Sequence, residues 1–378
     1  MPDRRKAMRS NLEFELATEY TEEQFRQLLR NNPLAGNINL QLTREPNAFH
    51  AAAASGDVYE LMLAYRREPR QLIGGGARYE FDAYVNGRAA RLGYLGELRV
   101  DGGFRQRRNL LIEAYRAMRQ RHVVGGARVY ITTIIADNRS TRRLMEAGLA
   151  DMPTYQPLEP MVTLTIPARQ AASCRAPTMR VEHGTRSDVP ELARRLAATG
   201  AGYQFHPVWS PETLLSPQRS RGARPEDFVL ARDDGRISGC ACLWDQRAFK
   251  QSIVAGYSRR LARLRPAFNL VAPLLRQPRL PPPGNPLEGA FLSHLSVDQD
   301  DEATFLALVK RAAENAVARG IDYLMIGLAE RNGLCRLLQK RFSCHRYSSM
   351  LYLVYWEDGR DYAAGIDNRI PHPEMAIL

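Results

Sequence analysis

Along the first half of the chain, apolar and polar residues alternate over Leu12 to Thr18, Val58 to Tyr65, Leu72 to Val85 and Arg88 to Val100, the period of half-buried strands. Between the first two, Thr21-Glu-Glu opens a helix with Phe25, Leu28 and Leu29 on one side, and Thr21 with Gln24 three residues on reads as a capping box. Asn31 to Pro46 is polar and Pro-punctuated, a loop with room for one short helix. Asn86-Gly87 is a strong hairpin signal, so the strands on either side of it pair antiparallel. After Val100 the chain turns at Asp101-Gly102-Gly103, and Leu110, Leu111, Ala114, Tyr115 and Met118 recur at helical spacing, which predicts a helix from Gln106 to about Val123. Gly125-Gly126 ends it, and Arg128 to Ala136 is rich in β-branched residues. Strand, helix, strand makes a crossover, so this strand is expected parallel to the one ending at Val100. A helix over Asp137 to Gly148 and a closing strand over Met161 to Ile166 complete the block.

Residues 168–178 have linker composition, and from Met179 the same plan begins again. Met179 to His183, Phe228 to Arg232 and Ser238 to Trp244 read as strands, with a helix from Ser187 through Leu196 and a turn at Asp233 to Arg236. Ser258 to Pro286 is an Arg-rich and Pro-rich insertion, expected as an exposed loop with a short helix. Ala290-Phe-Leu-Ser-His-Leu-Ser-Val-Asp298 then aligns with Gly93-Tyr-Leu-Gly-Glu-Leu-Arg-Val-Asp101, and Ala329 through Phe342 aligns without a gap to Ala136 through Leu149. With a helix over Glu302 to Ala318, a strand over Asp322 to Leu328 and a closing strand over Met350 to Trp356, the chain reads as an internal repeat. The expected division is 1–167, a linker 168–178, 179–357, and a tail 358–378.

Charge narrows the partners. The formal net charge is +12, from 53 Lys plus Arg against 41 Asp plus Glu, and nearly all the cations are Arg. This suits an anionic ligand. The basic residues are dispersed and no aromatic-interleaved recognition motif accompanies them, so nucleic acid is not the expected partner. No apolar run approaches the roughly 20 residues of a membrane span, and MPDRRKAMRSNLEFE lacks the apolar core of a signal peptide. The expectation is a cytoplasmic protein without a membrane partner. Five scattered cysteines read as free thiols, and no metal site is expected.

The loop after Val100 delivers Arg105, Arg107 and Arg108 to a helix start, where unpaired amides and the positive end of the helix dipole favour a phosphate. Strand, loop and helix in this order resemble the acyl-CoA site of the GNAT superfamily of N-acetyltransferases, whose loop has the pattern Arg/Gln-x-x-Gly-x-Gly/Ala. Arg105 matches the first position, while Arg108 and Leu110 stand where glycines belong. A second segment, Asn-x-x-(Ala/Ser)-x-x-(Leu)-Tyr-x-(Lys)-x-Gly-Phe, is matched by Asn138, Leu144 and, one position early, Gly148 and Leu149, with Met145 in place of the tyrosine. The resemblance implies an α/β (α+β) fold of two tandem GNAT-like domains, each a mixed, mostly antiparallel sheet with a parallel central strand pair flanked by helices.

It further implies an acyl-CoA-dependent N-acyltransferase, with acetyl-CoA or another acyl-CoA as co-substrate and a small-molecule or peptide amine as acceptor. Leu98 and Val100 would pair with the pantetheine arm, and the Val100 N–H would face the thioester oxygen. Arg105, Gln106, Arg107, Arg108 and Asn109 would hold the pyrophosphate, and Asn138 would either contact the arm or cap its helix. In the second half, Asp298-Gln-Asp-Asp-Glu302 puts carboxylates where the phosphate would sit, so the first half is the expected donor site.

An alkyl ammonium of pKa about 10.4 carries a free-amine penalty of roughly 4 kcal/mol near pH 7, so transfer gains from a general base. Glu97 reads either as that base or as a strand carboxylate paired with Arg99 or Arg91. Its counterpart His294 reads as a core histidine. The acid for the leaving thiolate is not assigned unless Tyr94, Tyr130 or Tyr155 reaches the site. The alternative is a catalytically inactive GNAT-like protein that binds CoA or another anion.

Overall fold

The computed structural model describes residues 11–104, 108–177, 179–298 and 301–378. The first half runs β1 (Leu12–Leu16), α1 (Glu22–Asn31), β2 (Ile38–Thr43), α2 (Ala48–Ser55), β3 (Val58–Arg66), β4 (Gln71–Val85), β5 (Arg88–Val100), α3 (Arg108–Val124), β6 (Tyr130–Ile135), α4 (Arg139–Met145), β7 (Thr154–Pro167) and α5 (Ala168–Ala172). The second runs β8 (Val181–His183), α6 (Val189–Gly200), α7 (Pro211–Leu215), β9 (Phe228–Asp233), β10 (Arg236–Trp244), β11 (Gln251–Tyr257), α8 (Arg259–Val271), β12 (Gly289–Ser296), α9 (Glu302–Ala318), β13 (Tyr323–Ala329), α10 (Gly333–Arg341), β14 (His345–Tyr355) and α11 (Arg360–Ala364).

Alternation and turn chemistry account for most of this. The Asn86-Gly87 hairpin forms with both residues at positive φ, 53° and 78°, as a two-residue turn requires when it matches strand twist. Phe25, Leu28 and Leu29 are the buried face of α1. The capping box at its start does not form: Thr21 Oγ1 accepts from the Thr18 N–H at 2.8 Å, and Gln24 Oε1 accepts from the Tyr65 hydroxyl at 2.7 Å. A tertiary partner outcompetes the local one. The polar stretch after α1 contains β2, which pairs along its length with β11 in a two-stranded sheet that joins the halves. Residues Ala168 and Ala171 of the expected linker are fully buried, in a helix packed on α9.

Twelve strands form one mixed sheet in the order β1-β3-β4-β5-β6-β14-β7-β13-β12-β10-β9-β8. Each half contributes one parallel pair, β5 with β6 and β12 with β13. Two closing strands of separate sheets were expected; instead they are exchanged. β14 pairs with β6 of the first half, β7 pairs with β13 of the second, and β7 and β14 pair with each other. Alternation says which face a strand buries but not which edge it joins, so the exchange is invisible in the pattern.

The exchange also joins the cores. One apolar cluster runs from Phe25 and Tyr79 through Phe205, Trp209 and Trp244 to Ala376 and Ile377. The segment after α11, within the expected tail 358–378, lies between the halves: the Gln204 N–H donates to Ile370 O at 3.0 Å, and the His372 N–H donates to Gln204 O at 2.8 Å.

Candidate functional site

In the first half, β5 and β6 are in parallel register only at Gly93 with Tyr130 and Tyr94 with Ile131. Thr132 Oγ1 donates to Leu95 O at 2.6 Å, and beyond that link the strands part into a wedge. The cause is a bulge in β5. Against β4, Ala77 faces Gly96 and Gly75 faces Arg99, so β5 carries one extra residue there, and Glu97 adopts a left-handed backbone with φ +56°. Gly96 is required by its neighbour: a Cβ there would come within 2.7 to 2.8 Å of the Tyr94 ring and hydroxyl.

Past the bulge, the Asp101 N–H donates to Ile73 O at 2.9 Å. Strand alternation therefore turns the Val100 amide toward the other edge of β5, the edge of the wedge. Leu98 is 39% exposed there, while Gly96 and Glu97 are half-buried.

The second half repeats the bulge. On β12 an extra residue falls between Ser293 and Ser296 opposite β10, and His294 takes φ +48°. Here, however, the chain covers its own wedge. The His294 N–H donates to Glu374 Oε2 at 2.8 Å, Glu374 Oε1 accepts the Ala376 N–H at 3.1 Å, and Met375 packs so tightly on Gly327 of β13 that any side chain at 327 would collide with it. All of Leu292 to Val297 is buried. The His294 ring lies among Trp209, Trp244 and Phe228, with centroids 4.0, 5.2 and 5.3 Å away, and burial with nearby His206 and Arg219 pushes its pKa down to about 3. It is a neutral core histidine. The acids after β12 serve structure: Asp298 pairs with Arg195 at 3.0 Å, and Asp301 caps α9 by accepting the Thr304 N–H at 2.8 Å.

Around Glu97 the groups are ionisable and buried. Its carboxylate pairs with Arg44, just past the end of β2, and not with Arg99 or Arg91. Burial alone would raise the Glu97 pKa, but Arg44, Arg99 and Lys250 together hold it below the ordinary carboxylate range. Arg91 instead reaches Asp57 and Glu80, and Arg99 donates to Leu98 O.

Lys250 escaped the sequence reading. Its Nζ donates to Ala376 O at 2.9 Å and to Ser55 Oγ at 3.2 Å, and burial, aided by Arg44 and Arg219, lowers its pKa to about 7. Glu374 is raised to about 7, mainly by burial. The signal was present: in a chain whose cations are almost all Arg, a buried Lys is a cation that can shed its proton.

Of the other expected residues, Arg105, Gln106 and Arg107 lie outside the described residues. Arg108 begins α3 and Asn109 follows it. Asn138 caps α4, its Oδ1 accepting the Thr141 N–H at 3.3 Å, just after β6 leaves the wedge. Met145 is buried. Among the three tyrosines, Tyr94 lies beside the bulge, stacked on Tyr79 with centroids 5.5 Å apart, and burial raises its pKa. Tyr130 is tied to Arg78 and His122, and Tyr155 to Tyr115. The phenol nearest the end of α4 comes from the exchanged strand: the Tyr352 hydroxyl donates to Glu146 at 2.5 Å and accepts from Arg142 at 2.9 Å.

A cleft of about 560 Å³ lined by His122, Gly125, Gly126 and Asp358 opens at the start of β6, whereas ligands of parallel strand pairs sit beyond their carboxyl ends. Among the described residues no cluster of His, Cys, Asp or Glu is arranged to hold a metal, and no helix is long and apolar enough to cross a membrane.

Saccharomyces cerevisiae N-myristoyltransferase with bound myristoyl-CoA superposes on 91% of this chain and 83% of its own, with a TM-score of 0.60 at 11% identity. A GCN5-related N-acetyltransferase from Anabaena variabilis covers 90% of this chain and 72% of its own, with a TM-score of 0.47 at 10% identity. The chain has the two-domain fold of that N-myristoyltransferase, the tandem GNAT-like fold that the sequence motif implies. No protein-family model matches the sequence, and no curated protein sequence matches it.

Proposed function

We propose that this chain is an acyl-CoA-dependent N-acyltransferase that takes its donor into the first-half wedge. The observation that carries the reading is the contrast between the wedges: the one at Glu97 is half-exposed, and the one at His294 is covered by residues 374–376 of the same chain. The donor is acetyl-CoA or a longer acyl-CoA, with the pyrophosphate at Arg105 to Asn109 and the start of α3.

In the proposed reaction the amine nitrogen attacks the thioester carbon and forms the C–N bond. The carbonyl oxygen takes the developing charge, stabilised by amides preset on the bulge, and the C–S bond then breaks to release CoA thiolate. The Val100 amide faces that edge, and the Glu97 amide corresponds to the His294 amide that already holds a carboxylate oxygen in the second half. Such preset donors contribute a factor of about 100 to 1,000 in rate. Glu97, ionised and on the bulge, is the proposed acceptor of the amine proton, and Tyr94, beside the bulge, is the proposed donor of a proton to the thiolate.

The Arg44–Glu97 pair also favours a second reading, a GNAT-fold protein that binds CoA without turnover, because a carboxylate held at low pKa is a weak base. Calorimetry with acetyl-CoA and myristoyl-CoA, followed by thiol release with a panel of amines, separates the two. Donor binding lost in Arg105→Ala/Arg108→Ala but kept in Asp298→Ala, with thiol release that Glu97→Gln abolishes, supports the enzyme. Binding without thiol release selects the second reading, and no binding of either donor overturns both.

A further inference from the structure

The Arg-rich insertion is a built feature with an unusual surface. From Gln251 to Leu287 the sequence contains no Asp or Glu, yet it carries Arg259, Arg260, Arg263, Arg265, Arg276 and Arg279. α8 at its centre has no buried residue. Leu264, Ala267 and Val271 fall at i, i+3 and i+7 on its exposed side, with Arg260 and Arg263 on the same side. At the tip, Leu270 is 79% exposed and Leu274 85% exposed, with Leu275 beside them.

These side chains are held out by a fixed scaffold. Asn269 bonds both to the Leu280 N–H, at 2.8 Å, and to Leu280 O, at 2.9 Å. Arg265 Nε donates to Leu280 O at 3.0 Å, and the Tyr257 hydroxyl donates to Pro281 O at 2.5 Å. The helix and the irregular segment that returns from it are therefore stapled together behind the apolar tip. Elsewhere in the described residues, exposed large apolar side chains are scattered or in pairs such as Val123 and Val124; here five fall within residues 264–275.

We propose that α8 and the turn after it dock on an anionic phospholipid bilayer, with Leu270, Leu274 and Leu275 entering the headgroup boundary and the arginines meeting lipid phosphates. Two features favour a bilayer over an acidic protein. The apolar side chains protrude, which suits insertion into a fluid surface and would require a matching pocket in a protein. Exposed arginines in a segment without a carboxylate suit a uniformly negative plane, and apolar insertion with basic flanks is the pattern of helices that lie in an interface. Lying on a bilayer needs no spanning helix, so this goes beyond the sequence expectation of no membrane partner. α8 also continues from β11, whose pairing with β2 ends at Thr43 beside Arg44, so the docked face and the Glu97 region are joined by one strand pair.

The test is sedimentation of the full chain with vesicles of equal parts phosphatidylcholine and phosphatidylglycerol, against phosphatidylcholine alone. The expected result is binding to the anionic vesicles that weakens with salt, falls about fivefold per arginine in Arg259→Gln, Arg260→Gln and Arg263→Gln, and falls at least about tenfold in Leu270→Ser/Leu274→Ser/Leu275→Ser. The substituted side chains are exposed, so the variants should keep the native circular dichroism and melting temperature. No binding of the native chain, or equal binding of the leucine variant, overturns the proposal. Binding to polyglutamate without binding to vesicles also overturns it, in favour of an acidic protein partner. No acyl-CoA enters the assay, so its outcome is independent of the proposed reaction.

Discussion

Glu97 and His294 hold the same place in the two halves, each the extra residue of a bulge and each left-handed, at φ +56° and +48°, yet they face opposite chemistry. Glu97 is an ionised carboxylate against Arg44; His294 is a neutral ring among aromatics whose backbone amide is taken by Glu374. A shared backbone device thus supports one half-exposed site and one closed one.

The Arg44–Glu97 pair is expected to show its strength when broken on one side. Arg44→Ala leaves a half-buried carboxylate without its main partner and should cost about 1 to 3 kcal/mol in urea unfolding. Arg44→Ala with Glu97→Gln should recover most of that loss. Because the folded Glu97 pKa is lowered, its contribution is present above the unfolded carboxylate pKa and is lost as pH falls through the folded value. Both variants should therefore flatten the acid limb of the stability profile; a single-variant cost that the double variant does not reduce would contradict the pairing.

Lys250 acts in the same direction in a higher pH window. Its pKa of about 7 in the folded chain lies below the unfolded value, so the unfolded chain binds the extra proton between about pH 7 and 10 and stability rises with pH across that window, by at most about 5 kcal/mol. For Glu374, raised to about 7, stability is greatest below the unfolded carboxylate pKa and falls as pH climbs toward 7. Denaturation midpoints from pH 4 to 10 should lose the alkaline rise in Lys250→Met and the acid-side fall in Glu374→Gln.

Closure of the second wedge rests on Gly327 and Met375. Gly327→Ala drives a methyl group into the Met375 side chain and should lower the melting temperature and expose the chain after Arg369 to trypsin. Met375→Ala added to the same chain should restore both. If Gly327→Ala alone melts like the native chain, residues 374–376 do not seal the wedge.

For the proposed reaction, Glu97→Gln should slow acyl transfer by a factor of about 100 to 10,000 while donor affinity stays within about twofold. Calorimetry and thiol release on the same preparation read the two quantities separately. A proportional loss of donor binding would make Glu97 a binding group and not a base.

Much of this was legible in the residues. The strands, the Asn86-Gly87 hairpin, the crossover helices and the alignment of Glu97 with His294 follow from local periodicity and turn chemistry, because those depend on neighbours a few positions away. The site was legible in part: Glu97 and the Leu98 to Val100 strand could be singled out, whereas Arg44 and Glu374 come from segments that read as a loop and a tail, and Lys250 from the stretch between a strand and the insertion, to which the pattern assigns no element.

What remained to the tertiary structure was every choice between equivalent partners. β7 and β14 carry the alternation of closing strands whichever sheet they join, and their exchange is decided by edge pairing across the two halves. β2 alternates as Ile-Asn-Leu-Gln-Leu-Thr inside a stretch read as a loop, and nothing in that short pattern names β11 as its partner. Two bulged strands of like pattern give two wedges, and which one stays open is decided by where the last residues of the chain come to lie. By itself the sequence determined the elements, since these are local; the bulges, pairing, closure and charge depend on strand register, desolvation and packing between residues far apart in the chain.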